Sequence, residues 1–206
     1  WTKYSGSFTA TDNSLTLRMF TGRDFSGTVY FDQIQLARVA LPSPWQSQDI
    51  GSVGMDGITL YDETIYDVQG AGSVEEGGTA DSLQYVYQMS SGDFDISVEV
   101  KEMTNPTSLG KTGVMIRETL QSNARTVGAW LTTDQKLICT SRIQTGGGTL
   151  ASENNGASYH FVRIKRTGNV FETYVSSNET TWTLWYTNII DMPTSVYMGF
   201  GACSGA

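Results

Sequence analysis

Histidine, cysteine and charged residues are scarce in this chain of 206 residues. It contains one histidine, His160, and two cysteines, Cys139 and Cys203, and only 17% of its residues are charged. A zinc site or a cysteine–histidine nucleophile needs several such side chains close together. The sequence therefore offers almost no material for either kind of site.

Positive charge is also in short supply. Lys and Arg number 13 against 21 Asp and Glu, which gives a formal net charge of −8 and an isoelectric point of about 4.5. Such a chain repels nucleic acid and anionic membrane surfaces, so we expect neither as a partner. No run approaches the roughly 18–20 apolar residues of a membrane span, which argues against membrane insertion. Neutral polar residues cover much of the surface, as is typical of a secreted or extracellular β protein.

Helical periodicity is nearly absent, and short runs of alternating apolar and polar residues take its place. Gly, Asn, Asp and Ser clusters separate these runs at intervals of roughly 8–12 residues, which predicts an all-β antiparallel sandwich or jelly roll. Thr167-Gly168-Asn169 predicts a tight hairpin turn between two such runs. The clearest runs are SLQYVYQM, FDISVEVKEM, GVMIRETL, TVGAWLTT, KLICTSRIQ, YHFVRIKRTG, VFETYVSS, TWTLWYT and SVYMGFGA.

Two prolines, Pro42 and Pro44, mark a boundary near the start of the chain. They remove two backbone donors within three residues and favour an extended linker. The segment before them is too short to close a core by itself. We therefore divide the chain into residues 1–40, a linker at 41–46 and a large sandwich at 47–206.

The segment GSFTATDNSLTLRMFTGRDFSGTVYFDQIQLARV resembles the last strands of a β-sandwich carbohydrate-binding module. In such modules the Asp of the final strand, here Asp32, often helps to hold a structural Ca²⁺. The other ligands come from the start of the module, which this chain does not contain. The resemblance thus implies at most an incomplete calcium site at Asp32.

The remainder of the chain resembles a concanavalin A-like β-sandwich, an accessory domain of secreted proteins that often degrade polysaccharides. The segments that carry this resemblance are SPWQSQDIGSVGMDGITLYDETIYDVQGAGS, ADSLQYVYQMSSGDFDISVEV, GKTGVMIRETL, YHFVRIKRTGNVFETYVSSNETTWT and SVYMGFGACS. It implies a non-catalytic module that attaches a multimodular secreted protein to a polysaccharide, a glycan or a cell surface.

Catalytic chemistry finds little support in the residues. Asp95 and Glu99 are spaced to share one face of a strand. However, the strand that contains them lacks the E-x-D-x-x-E pattern of glucanases with this sandwich. Both carboxylates are also explained if they lie on a solvent-exposed face of the sheet. The chain has no G-x-S-x-G elbow and no phosphate-binding loop. We expect no enzyme, with a glycoside hydrolase or lyase as the remaining alternative.

The sequence contains more residues suited to binding sugars than residues suited to catalysis. Sugars need aromatic platforms together with side chains that donate and accept hydrogen bonds. Alternation along the strands predicts that five such side chains share one concave sheet face and contact a glycan. These candidate ligand-binding residues are Tyr85, Tyr87, Arg117, Trp130 and Arg142.

Each of these residues also has a structural explanation. The two tyrosines could be half-buried strand residues, Trp130 could belong to the core, and Arg117 could pair with a carboxylate such as Glu118. Trp182 is expected in the core as well, and Cys139 and Cys203 as two buried free thiols in preference to a disulfide.

The N-terminal strands favour a different class of function. Strands that lack their own sheet can pair with neighbouring modules or with copies of the same chain by strand addition, as in a filament or surface-layer subunit. This structural role is the alternative to glycan binding.

Overall fold

The computed structural model describes residues 40–104, 107–134, 136–155 and 158–205. The predictions for residues 1–39, including the calcium ligand Asp32, lie outside the described residues. The described part contains thirteen β-strands and no helix, which confirms the predicted all-β class. It therefore has no helix that could span a membrane.

The strands form two main sheets and one hairpin, all with antiparallel pairing. The large sheet has the order β1-β4-β13-β6-β7-β8-β9, the small sheet has the order β12-β11-β10-β5, and β2 pairs only with β3. The strand bounds are β1 Gln46–Ile50, β2 Ile58–Tyr61, β3 Tyr66–Gln69, β4 Leu83–Ser91, β5 Phe94–Glu99, β6 Lys111–Arg117, β7 Thr126–Thr132, β8 Lys136–Arg142, β9 Leu150–Asn155, β10 Phe161–Thr167, β11 Val170–Ser176, β12 Thr183–Ile189 and β13 Ser195–Cys203.

The two main sheets pack face to face over an apolar core. Period-two alternation places every second side chain of a strand on this inner face. Val114 and Ile116 of β6 lie there with Val162 and Ile164 of β10 and Phe171 of β11, and all five are fully buried. This packing is the sandwich that the alternating runs predict.

The large sheet buries its second face as well. Met115, Trp130 and Tyr85 point away from the sandwich core, and they form a second cluster with Val74 and Cys203. Each of these side chains is at most 4% exposed. The cover consists of loops rather than of a third sheet, because Val74 lies between β3 and β4.

The predicted hairpin turn joins β10 and β11. Thr167 pairs with Val170, which leaves Gly168 and Asn169 as a two-residue turn. Gly168 has a φ of 58°, a value that a residue without a Cβ adopts without steric cost. Sequence pattern and structure agree at this hairpin.

Cys139 and Cys203 are free and buried, as expected. They lie on opposite faces of the large sheet. Cys139 pairs with Ala129 of the sandwich core, whereas Cys203 belongs to the second cluster. Burial raises the pKa of the Cys139 thiol to about 12, so it is a protonated, apolar core group at neutral pH.

Candidate functional site

The structure brings the five predicted ligand-binding residues together on one face of the large sheet. Arg117 on β6 and Arg142 on β8 are both opposite Thr126 of the intervening strand β7. Tyr85 and Tyr87 stack with their ring centroids 5.5 Å apart. The shared face that alternation predicts is therefore present.

This face is closed to solvent around the five predicted residues, which corrects the expectation of an open concave surface. The predicted residues are buried, with an exposure of zero for all except Tyr87 at 6%. The Tyr85 hydroxyl donates to the Met115 carbonyl at 2.8 Å, and the Trp130 indole N–H donates to Thr140 Oγ1 at 2.9 Å. Their polar groups are thus occupied inside the protein.

Asp81 holds the two buried arginines. Its carboxylate accepts from Arg117 Nη1 at 2.6 Å, from Arg142 Nη1 at 3.0 Å and from Arg142 Nη2 at 2.6 Å. Main-chain carbonyls of Gln121 and Ala124 accept further guanidinium N–H groups. The ion-pair partner of Arg117 is therefore Asp81, whereas Glu118 pairs with Arg125.

Three loops form the cover over this face, and main-chain hydrogen bonds join them. Asp81 N–H donates to the Ser122 carbonyl at 2.9 Å, and Gly77 N–H donates to the Thr149 carbonyl at 2.7 Å. The loops span residues 70–82, 118–125 and 143–149. A ligand approaching this face meets these loops, so the open site must be sought elsewhere.

An open cleft of about 1180 Å³ lies between the β2–β3 hairpin and strand β5. We call it the hairpin cleft. Its walls are residues 64–71 on the hairpin side and 96–104 on the β5 side, and its floor includes Thr112, Phe200 and Ala202 of the large sheet. Ligand sites in proteins commonly have volumes of roughly 300–1,000 Å³, so this cleft has room for several sugar units.

Aromatic rings form one side of the hairpin cleft. Tyr66 of β3 lies with its ring centroid 5.0 Å from Phe200 and 4.5 Å from Tyr61, and Trp45 lies 5.4 Å from Phe200. Trp45, Tyr66 and Phe200 are all partly exposed. Burial raises the pKa of the Tyr66 phenol, with a smaller contribution from Tyr61, so the hydroxyl is a neutral donor at physiological pH.

Polar side chains surround these rings. The lining includes carboxylates, amide and hydroxyl groups and two amines, and most of them are exposed. Their variety supplies both donors and acceptors for hydroxyl groups. The polar side chains of the lining are Asp56, Thr64, Asp67, Gln69, Ser97, Glu99, Lys101, Glu102, Thr104, Lys111, Thr112 and Ser204.

On the side of the hairpin cleft, β5 pairs with no strand among the described residues. Val100 N–H donates to the His160 carbonyl at 2.7 Å, so alternate residues of this segment bond to β10. The main-chain groups of the residues between them, Ser97 and Glu99, point to the other side. Rigid strand groups of this kind hold a fixed position for a ligand's hydroxyls.

The two candidate catalytic carboxylates are held in ion pairs, although Glu99 also lines the hairpin cleft. Asp95 accepts two hydrogen bonds from Arg163, one of them from Nε at 2.6 Å. Glu99 pairs with Lys101 at 2.8 Å. Each carboxylate thus has its own basic partner, and the two do not form an opposed acid and base pair.

Trp182 lies on the outer face of the small sheet and not in the core. The Arg163 guanidinium lies 5.3 Å from the Trp182 ring centroid and 5.5 Å from that of Tyr174. Trp185 packs against the sandwich core, as Trp45 does. Trp182 faces outward because the β11–β12 register shifts between Thr173 and Tyr174. Strict alternation does not anticipate such a shift.

Metal-binding groups are not clustered in the described residues, where no three His, Cys, Asp or Glu side chains come close enough to hold an ion. The calcium prediction at Asp32 lies outside the described residues and stays a prediction.

Comparisons with known proteins show the fold alone. No family model matches the chain, and no curated protein matches it. A functionally unknown protein from Saccharomyces cerevisiae has a similar solved structure, with a TM-score of 0.56 and 17% sequence identity over 78% of this chain and 86% of that chain. At this identity the likeness concerns architecture and carries no function.

Sequence reasoning missed the aromatic side of the hairpin cleft. Strands β2 and β3 have only four residues each, too few to show a clear alternation. A signal was nevertheless present in YDETIY, where two tyrosines flank an Asp-Glu-Thr turn. Asp62 accepts from Thr64 N–H at 2.9 Å and from Ile65 N–H at 2.7 Å, which closes that turn.

Proposed function

We propose that this chain is a non-catalytic carbohydrate-binding module of a larger secreted protein and that the hairpin cleft holds the glycan. The observation that carries the proposal is the cleft itself, where partly exposed aromatic rings stand beside polar side chains in a groove open to solvent. Pyranose rings offer C–H faces to aromatic rings and hydroxyls to polar groups, so this combination matches their chemistry.

The size of the hairpin cleft favours a glycan chain over a single small ligand. Its volume of about 1180 Å³ exceeds the roughly 300–1,000 Å³ that is usual for small-molecule sites. The lining carries more carboxylates than amines, and together with the net charge of −8 this favours a neutral polysaccharide over an anionic one.

The proposed role is attachment without turnover. Hydrolysis of a glycosidic bond needs two carboxyl groups that face each other across the substrate. Asp95 and Glu99 are the pair that the sequence spacing suggests. Arg163 pairs with Asp95, and Lys101 pairs with Glu99. The resemblance to concanavalin A-like and carbohydrate-binding modules supports the same role and suggests location outside the cell, including the cell surface.

A pull-down with insoluble polysaccharides and a glycan array test the proposal. The wild type is compared with Tyr66→Ala, which removes a ring from the cleft, and with Tyr174→Ala, which removes a partly exposed ring from β11, an interior strand outside the cleft. Loss of one aromatic contact should weaken binding up to about tenfold. We expect this for Tyr66→Ala only. Absence of binding by the folded wild type to every glycan would overturn the proposal.

A further inference from the structure

Strand β12 is an edge strand of the small sheet with an unusual composition. Within the described residues it pairs with β11 on one side and with no strand on the other. Its sequence, TLWYTNI, has seven residues and no charge. Three of its side chains are exposed large hydrophobics: Leu184, Tyr186 and Ile189, the last with 76% exposure.

The other edges of the two main sheets are protected in the usual way. Natural sheets place charged side chains on edge strands to prevent pairing with a second chain. Strand β1 carries Asp49, β5 carries Asp95 and Glu99, and β9 carries Glu153. Among these four edges, β12 alone carries no charged side chain.

The free side of β12 presents main-chain groups in the correct direction for pairing. Ile190 N–H donates to the Asn169 carbonyl at 2.9 Å, so the alternate residues of this segment bond to β11. The N–H and C=O groups of Thr187 and Ile189 therefore point away from the sheet. These groups can form a new antiparallel ladder.

The lack of charge on β12 allows a second copy of this chain to serve as the partner. In an antiparallel pair of β12 strands centred on Asn188, Thr187 lies opposite Ile189 of the second copy, and no like charges meet. The same arrangement of two β5 strands centred on Ser97 would place Asp95 opposite Glu99, which is repulsive. Two chains with a net charge of −8 can approach most easily along a neutral edge.

We propose that two copies of this chain pair antiparallel through β12 and join their small sheets into one continuous eight-stranded sheet. The pairing covers Ile189 of both copies and satisfies the outward main-chain groups of Thr187 and Ile189. It is independent of the hairpin cleft, because that cleft lies at β5, on the opposite edge of the small sheet. Each dimer therefore carries two clefts, and a polymeric glycan could engage both.

Sedimentation equilibrium of the full chain over a wide concentration range tests this pairing. We expect a monomer–dimer equilibrium in the wild type. Ile189→Lys should raise the dimer dissociation constant by at least about tenfold, because two exposed apolar side chains lose their cover per dimer. Met89→Lys is the matched control, since Met89 is 65% exposed on an interior strand, and it should leave the equilibrium unchanged.

Thr187→Pro provides a second, main-chain test. It removes an outward N–H on an edge strand, where proline is tolerated, and should also favour the monomer. Hydrogen exchange should show concentration-dependent protection of the Thr187 and Ile189 amides. A wild type that stays monomeric at every concentration would overturn the proposal, and so would a dimer that survives both β12 substitutions. A dimer-deficient variant that still binds glycan in the pull-down would show that dimer formation and glycan binding are independent properties of the chain.

Discussion

The Asp81 carboxylate lies 2.6 Å from Nη1 of Arg117, and neither side chain has any exposed surface. The same carboxylate accepts from Arg142 two strands away. One loop residue thereby connects β6 and β8 and holds the cover over the second core. The two arginines that suggested a ligand site from the sequence serve as the anchors of these loops.

Replacement of Asp81 by Asn should destabilise the fold strongly. Two buried guanidinium groups would lose the one carboxylate that they contact within the described residues, and breaking a buried ion pair in this way typically costs about 3–5 kcal/mol. Urea denaturation followed by circular dichroism measures the free energy of unfolding. Asp95→Asn is the control, because its pair with Arg163 is partly exposed and should contribute less than about 1 kcal/mol. Equal losses in the two variants would refute the anchoring role of Asp81.

Acid should weaken the protein partly through Glu118. Two side-chain hydrogen bonds from Arg125 lower the pKa of Glu118 below its ordinary value of 4.5. A carboxyl group with a lowered folded pKa contributes stability above the unfolded pKa, and this contribution is lost as the pH falls through the folded pKa. The stability difference between pH 7 and pH 3 should therefore be smaller in Glu118→Gln than in the wild type.

The control for Glu118→Gln is Glu76→Gln. It removes an exposed carboxylate that has no ion pair among the described residues. It should keep the wild-type dependence on pH. Because the Glu118–Arg125 pair is partly exposed, its effect should stay within about 1 kcal/mol. An unchanged pH dependence in Glu118→Gln would show that this pair is not formed in solution.

Both cysteines should resist thiol reagents in the native protein. Cys139 and Cys203 are buried, and burial raises the pKa of each thiol. The thiolate is the reactive form, so Ellman's reagent should react slowly at neutral pH and should titrate both thiols in denaturant. Because the folded pKa of Cys139 is raised, its contribution to stability is present below about pH 9 and is lost as the pH rises toward 12. Rapid native reaction, or no free thiol in denaturant, would contradict the buried free state.

Alternation in the sequence predicts which side chains share a face, but it does not predict what covers that face. Val114 and Ile116 point to the sandwich core and Arg117 to the other side, as the strand KTGVMIR implies. The partner of Arg117 comes from a loop 36 residues earlier. Loops have no periodicity that reveals such long-range contacts, so the burial of the arginines could not be anticipated.

Short and irregular strands limit prediction in a different way. The hairpin cleft depends on β3, which is four residues long and contributes Tyr66. The position of Trp182 depends on a register shift in the small sheet. Both features result from local departures from regular geometry, which composition and spacing do not encode strongly.

The central claim is that a glycan binds in the hairpin cleft, and a titration of ¹⁵N-labelled protein with the best polysaccharide fragment from the pull-down tests it most directly. We predict saturable shifts of the amide signals of Tyr66, Gly70 and Thr112, which line the cleft. The signals of Thr140 and Ser141 on β8, away from the cleft, should stay in place. The Tyr66→Ala variant should need up to about tenfold more ligand to saturate. Shifts confined to residues outside the cleft, or none that saturate, would contradict this account.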